Sequence, residues 1–421
     1  MTRLYLSAIL ILISTHLSVA QFTLSAEMRP RTQLRNGYRT LKSEGDSPSF
    51  FTSQRTRLNF LYEKDKLFST YISVQDVRVW GDQDQLADEP SVGVFQAWAK
   101  LRIIDKLHLK AGRQELMYED GYLLGHLNWR QTGRSHDAAL LQFADSSFEA
   151  DLGLAFNQDN GRIYGTYYTG NYYKSLQFLW MKKSWQHVDL SLLAINRGFQ
   201  SVDSSQVFEQ TFGPNLYYHN GDFDLKLRYY FQTGTDRQQR NVEAHFFSGW
   251  VGYDLSDKWR WQLGADVLSG MTYRQANDPF NTENNTFDIL YGLRHGHFGH
   301  MDYFYLGFTP PAGLVDVVLK GTYKPSAKLS ITADIHSFSS YADLPPEAAA
   351  VPEQRDKFLG VETDLYARYR LDDELTLVGG YSHMFATESM SIVKGGPNDL
   401  LNNWFWVSLS FKPILFTSSD R

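Results

Sequence analysis

The sequence predicts an all-β chain, a transmembrane antiparallel β-barrel of about 18 strands, and three observations carry that expectation. Period-two alternation recurs in stretches of about 9–12 residues, the length a tilted strand needs to cross a bilayer. Short connectors alternate with long ones. Beyond the first 20 residues no apolar run reaches the roughly 18 residues of a membrane-spanning helix. Mean hydropathy is −0.39, which does not exclude a membrane, because a barrel needs only alternate residues apolar. An aromatic content of 15%, with 25 tyrosines and 10 tryptophans, fits the girdles such barrels carry.

Residues 1–20 read as a signal peptide: Arg3, then the apolar "LYLSAILILI", then Ser18-Val19-Ala20 as a small-x-small cleavage site. The chain has no cysteine, so an exported domain of this sequence holds together without disulfides. From Gln21 to Arg421 no proline- or serine-rich linker interrupts the pattern, and one barrel domain is expected over 21–421. "FQAWAKLRII" sets Phe95, Ala97, Ala99, Leu101 and Ile103 against Gln96, Trp98, Lys100 and Arg102. "SFEADLGLAFN" sets Phe148, Ala150, Leu152, Leu154 and Phe156 against Glu149, Asp151 and Gly153. "FDLKLRYYFQ" sets Phe223, Leu225, Leu227, Tyr229 and Phe231 against Asp224, Lys226, Arg228 and Gln232. "LGVETDLYARYRL" sets Leu359, Val361, Leu365 and Tyr369 against Glu362, Asp364, Arg368 and Arg370. The connectors "EKDK", "IDK", "SDK", "PSAK" and "DDE" read as tight turns, and 80–92, 158–171, 271–300, 340–356 and 387–401 as long loops. The last strand, "NNWFWVSLSF", suits closure onto the first.

If the apolar face meets outer-membrane lipid, the polar face lines the lumen. Cations recur there in i, i+2 pairs: Arg29 and Arg31, Arg55 and Arg57, Lys100 and Arg102, His108 and Lys110, Lys226 and Arg228, Arg368 and Arg370. Carboxylates such as Asp137, Asp151, Asp266 and Glu362 can brace them. One reading is an electropositive conduit in which planar arginine forks grip carboxylates at several weak sites in series. The other is ion-pair networks that fill a wide barrel. A net charge of −6 argues against a nucleic-acid binder.

Sharper motifs fail. "HGHFGH" offers His295, His297 and His300, but in a loop and without cysteine partners. "GDQDQLADE" carries Asp82, Asp84, Asp88 and Glu89 without the glycine and terminal glutamate of a calcium loop. No G-x-S-x-G, H-E-x-x-H or phosphate loop is present, so neither an enzyme nor a cofactor is expected. A barrel-borne hydrolase, whose triad assembles only in space, stays as an alternative.

The stretch "AGRQELMYEDGYLLGHLNWRQTGRSHDAALLQF" resembles the motif of the alginate export family of outer-membrane porins. In that family a strand ends in Gly-Arg-Gln-Glu, a Tyr-x-Asp turn follows, and Gly-x-x-x-Trp leads into Gly-Arg-x-x-Asp-Ala. Here these are Gly112, Arg113, Gln114, Glu115, Tyr118, Asp120, Gly125, Trp129, Gly133, Arg134, Asp137 and Ala138. "HFGHMDYF" and "GLVDVVLKGTYKP" resemble the family more loosely. The motif usually has Gly where this chain has Glu119, and Arg where it has Tyr122. The resemblance implies a monomeric barrel in the outer membrane of a Gram-negative bacterium, passing an anionic uronate polymer through an arginine-lined constriction. Other acidic saccharides and small organic anions are alternative cargoes.

The connection 115–134 is too long for a tight turn and, with Leu123, Leu124, Leu127 and Trp129, too apolar for a free loop. It is therefore expected to fold inward and narrow the pore, with Arg113, Arg130 and Arg134 toward the lumen and Asp137 pairing with one of them.

Overall fold

In a computed structural model of the chain, residues 20–87, 89–201, 205–304, 311–345 and 356–418 are described. The leader expected over 1–20 lies, but for Ala20, outside them, as does Asp88.

The first strands are β1 (Ala20–Asn36), β2 (Ser49–Lys64), β3 (Phe68–Val79), β4 (Val92–Ile104), β5 (Leu107–Gln114) and β6 (His136–Ala144). Next come β7 (Phe148–Phe156), β8 (Ser175–Ser184), β9 (Val188–Gln200), β10 (Gln206–Asn220), β11 (Phe223–Thr235) and β12 (Asn241–Ser256). The series ends with β13 (Trp259–Leu268), β14 (Leu314–Ser326), β15 (Leu329–Ser339), β16 (Phe358–Arg370), β17 (Leu375–Ala386) and β18 (Asn402–Phe411). Each pairs antiparallel with the next, giving an 18-strand barrel among the described residues. The seam is β18 on β1, with Arg31 opposite Ser408 and Asn36 opposite Asn403. Ile414–Thr417 continues it, Thr23 opposite Thr417. Among the described residues this closure leaves no open edge to the strand ladder, as a barrel in lipid requires.

Connector length sorts the two ends. Asp65 and Lys66, both at positive φ (49° and 57°), close β2 onto β3 as a tight turn matched to strand twist. At the other end, 115–135 and 269–304 are long and turn into the barrel.

Alternation sets the faces. Leu152, Leu154 and Phe156 are 43%, 50% and 49% exposed on the outside, while Asp151 is buried. Two residues expected outside face inward instead, each at a β-bulge. Ser73 pairs with Gln96 and Val74 with Val94, so Phe95 is the extra residue and turns in, 3% exposed. Phe338 pairs with Gly360 and Ser339 with Phe358, which turns Leu359 in. Gly360 has φ 138°, and a Cβ there would lie 2.2 Å from the Phe385 carbonyl oxygen. Each bulge shifts the phase of the alternation: Val92 and Val94 are exposed on one side of Phe95, Leu101 and Ile103 on the other.

Candidate functional site

The two inward loops meet and fill the middle of the barrel. Leu116, Leu123, Leu124 and Leu127 of 115–135 are buried, as are Phe287, Ile289, Phe298 and Met301 of 269–304. Their backbones pair: Tyr291 N donates to Leu123 O (2.9 Å), Gly125 N to Tyr291 O (3.0 Å) and Leu293 N to Gly121 O (2.8 Å). The approach at Gly292 is so close that a Cβ would lie 2.0 Å from the Tyr122 carbonyl oxygen. Arg134 ties the pair together, its guanidinium donating to the carbonyls of Gly125, Tyr291 and Gly292.

The tip of the first loop is held by four arginines of β1 and β2. Arg29 donates to the Gln131 side chain (2.9 Å) and to the carbonyls of Trp129 and Arg130. Arg31 donates to Trp129 O (2.8 Å) and lies 4.1 Å above the indole. Arg55 bridges Glu27 (2.6 Å) and Asn128 (3.1 Å). Arg57 reaches Asn128 (3.2 Å) and Thr132 O (3.4 Å), and packs 3.5 Å from the ring centre of Phe95. These four cations thus position a loop.

The loop's base uses the rest of the motif. The Tyr118 hydroxyl donates to Asp151 (2.7 Å) and that of Tyr122 to Asp266 (2.8 Å). Asp120 receives Lys226 (3.0 Å) and Arg228. Glu119, at a departure from the family pattern, accepts from Trp180 Nε1 (2.5 Å) and Ser191 (2.6 Å). Tyr122, the other departure, stacks on His297 with centroids 3.7 Å apart.

The second loop rests on a carboxylate sector formed by β13 to β16. Glu362 accepts from Met301 N (2.7 Å), His336 sits 2.9 Å from Asp316, and Lys320 lies 3.0 Å from Asp334. The rings of His295 and His300 stack with centroids 5.0 Å apart, yet each loop histidine has its own polar partner. His295 bonds Asp302 (2.6 Å), the His297 ring bonds Asp120 O (3.0 Å), and His300 faces Asp364 (3.9 Å). Burial pushes His297 and His300 down to about 4, which the nearby Asp120 and Asp364 only partly offset.

Two cavities flank the plug. The smaller, about 340 Å³, is bordered by five arginines (Arg31, Arg35, Arg39, Arg78, Arg130) and two carboxylates (Asp82, Asp302). Asp302 is already engaged by Tyr38, Arg39 (3.5 Å) and His295. The larger, about 880 Å³, reaches the loop end and is bordered by Arg113, Arg130, Arg134, Arg197, Arg237 and Arg294, with Asp137, Glu209, Asp236 and Asp288 among them. Arg130 and Thr132 border both cavities.

Arg113 and Asp137 face each other in register and pair at 2.9 Å. Their place in the alternation is that of Leu109, Ala111, Ala139 and Leu141, so they meet at the rim, on the sill of the larger cavity. Lys100 lies opposite Lys110, and Arg102 opposite His108, toward the turn end. Lys110 packs 4.2 Å from the Trp98 ring centre, and Arg102 lies 3.7 Å from Asp105. Arg368 and Arg370 are exposed at the turn end of β16, with Arg370 3.9 Å from Asp373. Sequence reading missed Arg35, Arg39 and Arg78. Arg35 continues the alternate of Arg29 and Arg31 and was legible; Arg39 and Arg78 reach the cavity through loop path and register.

The family model described as Alginate export matches residues 21–392. No curated protein sequence matches the chain. Among solved structures, Pseudomonas aeruginosa OpdL is similar at TM-score 0.62 and 12% identity, covering 94% of this chain and 99% of that one. The outer membrane protein OprD from Pseudomonas aeruginosa gives TM-score 0.62 and 12% identity over 93% and 94%. Pseudomonas aeruginosa OccK9 gives 0.61 and 12% over 94% and 98%. At such identities the likeness concerns the fold, and the family match covers nearly the whole chain. The protein is an outer-membrane β-barrel porin that belongs to the Alginate export family.

Proposed function

We propose that the barrel is a monomeric, anion-selective channel for an acidic saccharide or anionic polysaccharide of the alginate type. The observation that carries this reading is the cation excess at the smaller cavity: five arginines stand against Asp82 and Asp302 on its wall, and an excess is left after Arg39 is set against Asp302 and Arg78 against Asp76 just behind it. In a narrow lumen with low-dielectric walls such an excess raises the local concentration of anions. Arginine forks also match carboxylates bidentately. Arg130 stands between the cavities, Arg113 and Arg134 border the larger one, and Lys100, Arg102, Lys110, Arg368 and Arg370 extend the cationic path toward the periplasmic turns. Arg29, Arg31, Arg55, Arg57 and Arg228 serve by holding the constricting loop. A small organic acid is the second reading, favoured by the modest volume of the smaller cavity, about 340 Å³. Reversal potentials in a KCl gradient, followed by block with a hexauronate and with a monomeric uronate, test both. Anion selectivity with stronger block by the hexamer supports the polymer reading; a cation-selective parent barrel refutes the proposal.

A further inference from the structure

Loop 157–174, "NQDNGRIYGTYYTGNYYK", joins β7 to β8 and carries five tyrosines, of which Tyr173 packs edge-on against Tyr291 of the second inward loop. Three rings stand in solvent: Tyr164 is 88% exposed, Tyr167 43% and Tyr172 63%. Large exposed rings do nothing for a loop that only closes a hairpin, and a cluster of them marks a contact surface.

The backbone beneath the rings is fixed. Lys174, 2% exposed, donates Nζ to Thr166 O (2.8 Å) and to Gln200 Oε1 (2.8 Å). The same Gln200 oxygen accepts from Tyr168 N (2.9 Å). Asp159 N donates to Tyr167 O (2.9 Å), and the Asp159 carboxylate accepts from Thr169 N (3.0 Å). Arg237, in the connection from β11 to β12, donates to Tyr172 O (2.5 Å). Tyrosine offers much contact area for few torsions, so a pinned backbone bearing such rings is preorganised for binding. Tyr168 and Tyr172 border the larger cavity beside Arg130 and Arg237, and its volume of about 880 Å³ is within the range of ligand sites.

We propose that loop 157–174 is a saccharide platform: Tyr168 and Tyr172, with Tyr167 beside them, receive the apolar C–H face of a pyranose ring while the cavity's arginines take its carboxylate. The proposal rests on the acidic-saccharide reading and adds to it recognition of the sugar ring itself. A polyanion without sugar rings has no such face to offer, so removing the tyrosines separates recognition of sugar from recognition of charge.

The test replaces Tyr167, Tyr168 and Tyr172 together by Ala, and separately by Phe, in the full barrel. These positions lie outside the strands, so the barrel's hydrogen-bond ladder is untouched. Block by hexauronate and by hexaglutamate added from the loop side is read in single channels, beside the reversal potential. The expected result is hexauronate block weakened roughly tenfold or more by the Ala changes, with hexaglutamate block and reversal potential unmoved. The Phe variant keeps the hexauronate block. Unchanged hexauronate block in the Ala variant overturns the platform and leaves the anion path standing. An anion-selective parent that hexauronate does not block overturns the platform and the saccharide reading together.

Discussion

Trp129 of the first inward loop lies flat against His295 of the second, ring centroids 4.1 Å apart and planes within 11°. The edges of Trp404 and Trp406 meet the same indole at 5.7 and 4.8 Å, and the Arg31 guanidinium covers it. Both loops, the first strand and the closing strand therefore converge on one side chain. The two loops act as a single plug with Trp129 as its joint.

Trp129→Ala should loosen that plug without opening the barrel. Each aromatic contact contributes roughly 0.5–1.5 kcal/mol beyond burial, and several are lost together. Single-channel conductance and open-channel noise should both rise, while heat resistance in detergent stays that of the parent. Parental conductance would show that the loops are held elsewhere.

Arg134→Gln should free 288–294, because no shorter side chain spans three carbonyls on two loops. Arg134→Lys should not rescue it, since an ammonium lacks the planar fork. Limited proteolysis within 288–294 should accelerate in both variants. Equal protection in the lysine variant would reduce Arg134 to a point charge.

Much of this was legible in the sequence because barrel strands obey a local rule. Leu152 and Asp151 are assigned to opposite faces by spacing alone, and the motif from Gly112 to Ala138 announces an inward loop. Phe95 and Leu359 were misassigned because a bulge adds a residue that alternation cannot anticipate. The anchoring roles of Arg29, Arg55 and Arg57 were hidden for another reason. Their partners Gln131, Asn128 and Thr132 lie more than 70 residues away, and no periodicity relates positions at that distance. The second loop's seat on Glu362 was invisible on the same ground.

Acidification should unseat the second loop. Buried His297 and His300, pushed down to about 4, are packed as neutral rings, whereas in a released loop they titrate near about 6.5. The released state then binds more protons, so the seat weakens as pH falls from about 6.5 toward 4. Protection factors over 295–304, taken against the intrinsic amide exchange rate at each pH, should fall across that window, and a His297/His300→Gln double variant should flatten the dependence. Protection factors unchanged between neutral pH and the lower limit would remove these two rings from the seat.

Leu152→Arg should impair insertion, since Leu152 faces outward at 43% exposure while Asp151 turns inward to Tyr118. The penalty at the bilayer midplane is about 2–4 kcal/mol, read as a shift in refolding equilibrium into lipid vesicles. Normal refolding of this variant, with failure of Asp151 variants, would mean that the faces are reversed.

The most direct measurement is the reversal potential of the parent barrel and of an Arg35/Arg130→Gln double variant in planar bilayers. Arg35 packs on Tyr38 and Phe51 and bonds Gln33, and Arg130 stands between the two cavities. The parent should favour anions, and the double variant should shift toward cations near 0.1 M salt, where the Debye length is about 10 Å. At 1 M, where that length is about 3 Å, the difference should nearly vanish. Identical reversal potentials for the two proteins at low salt would contradict an arginine-controlled anion path.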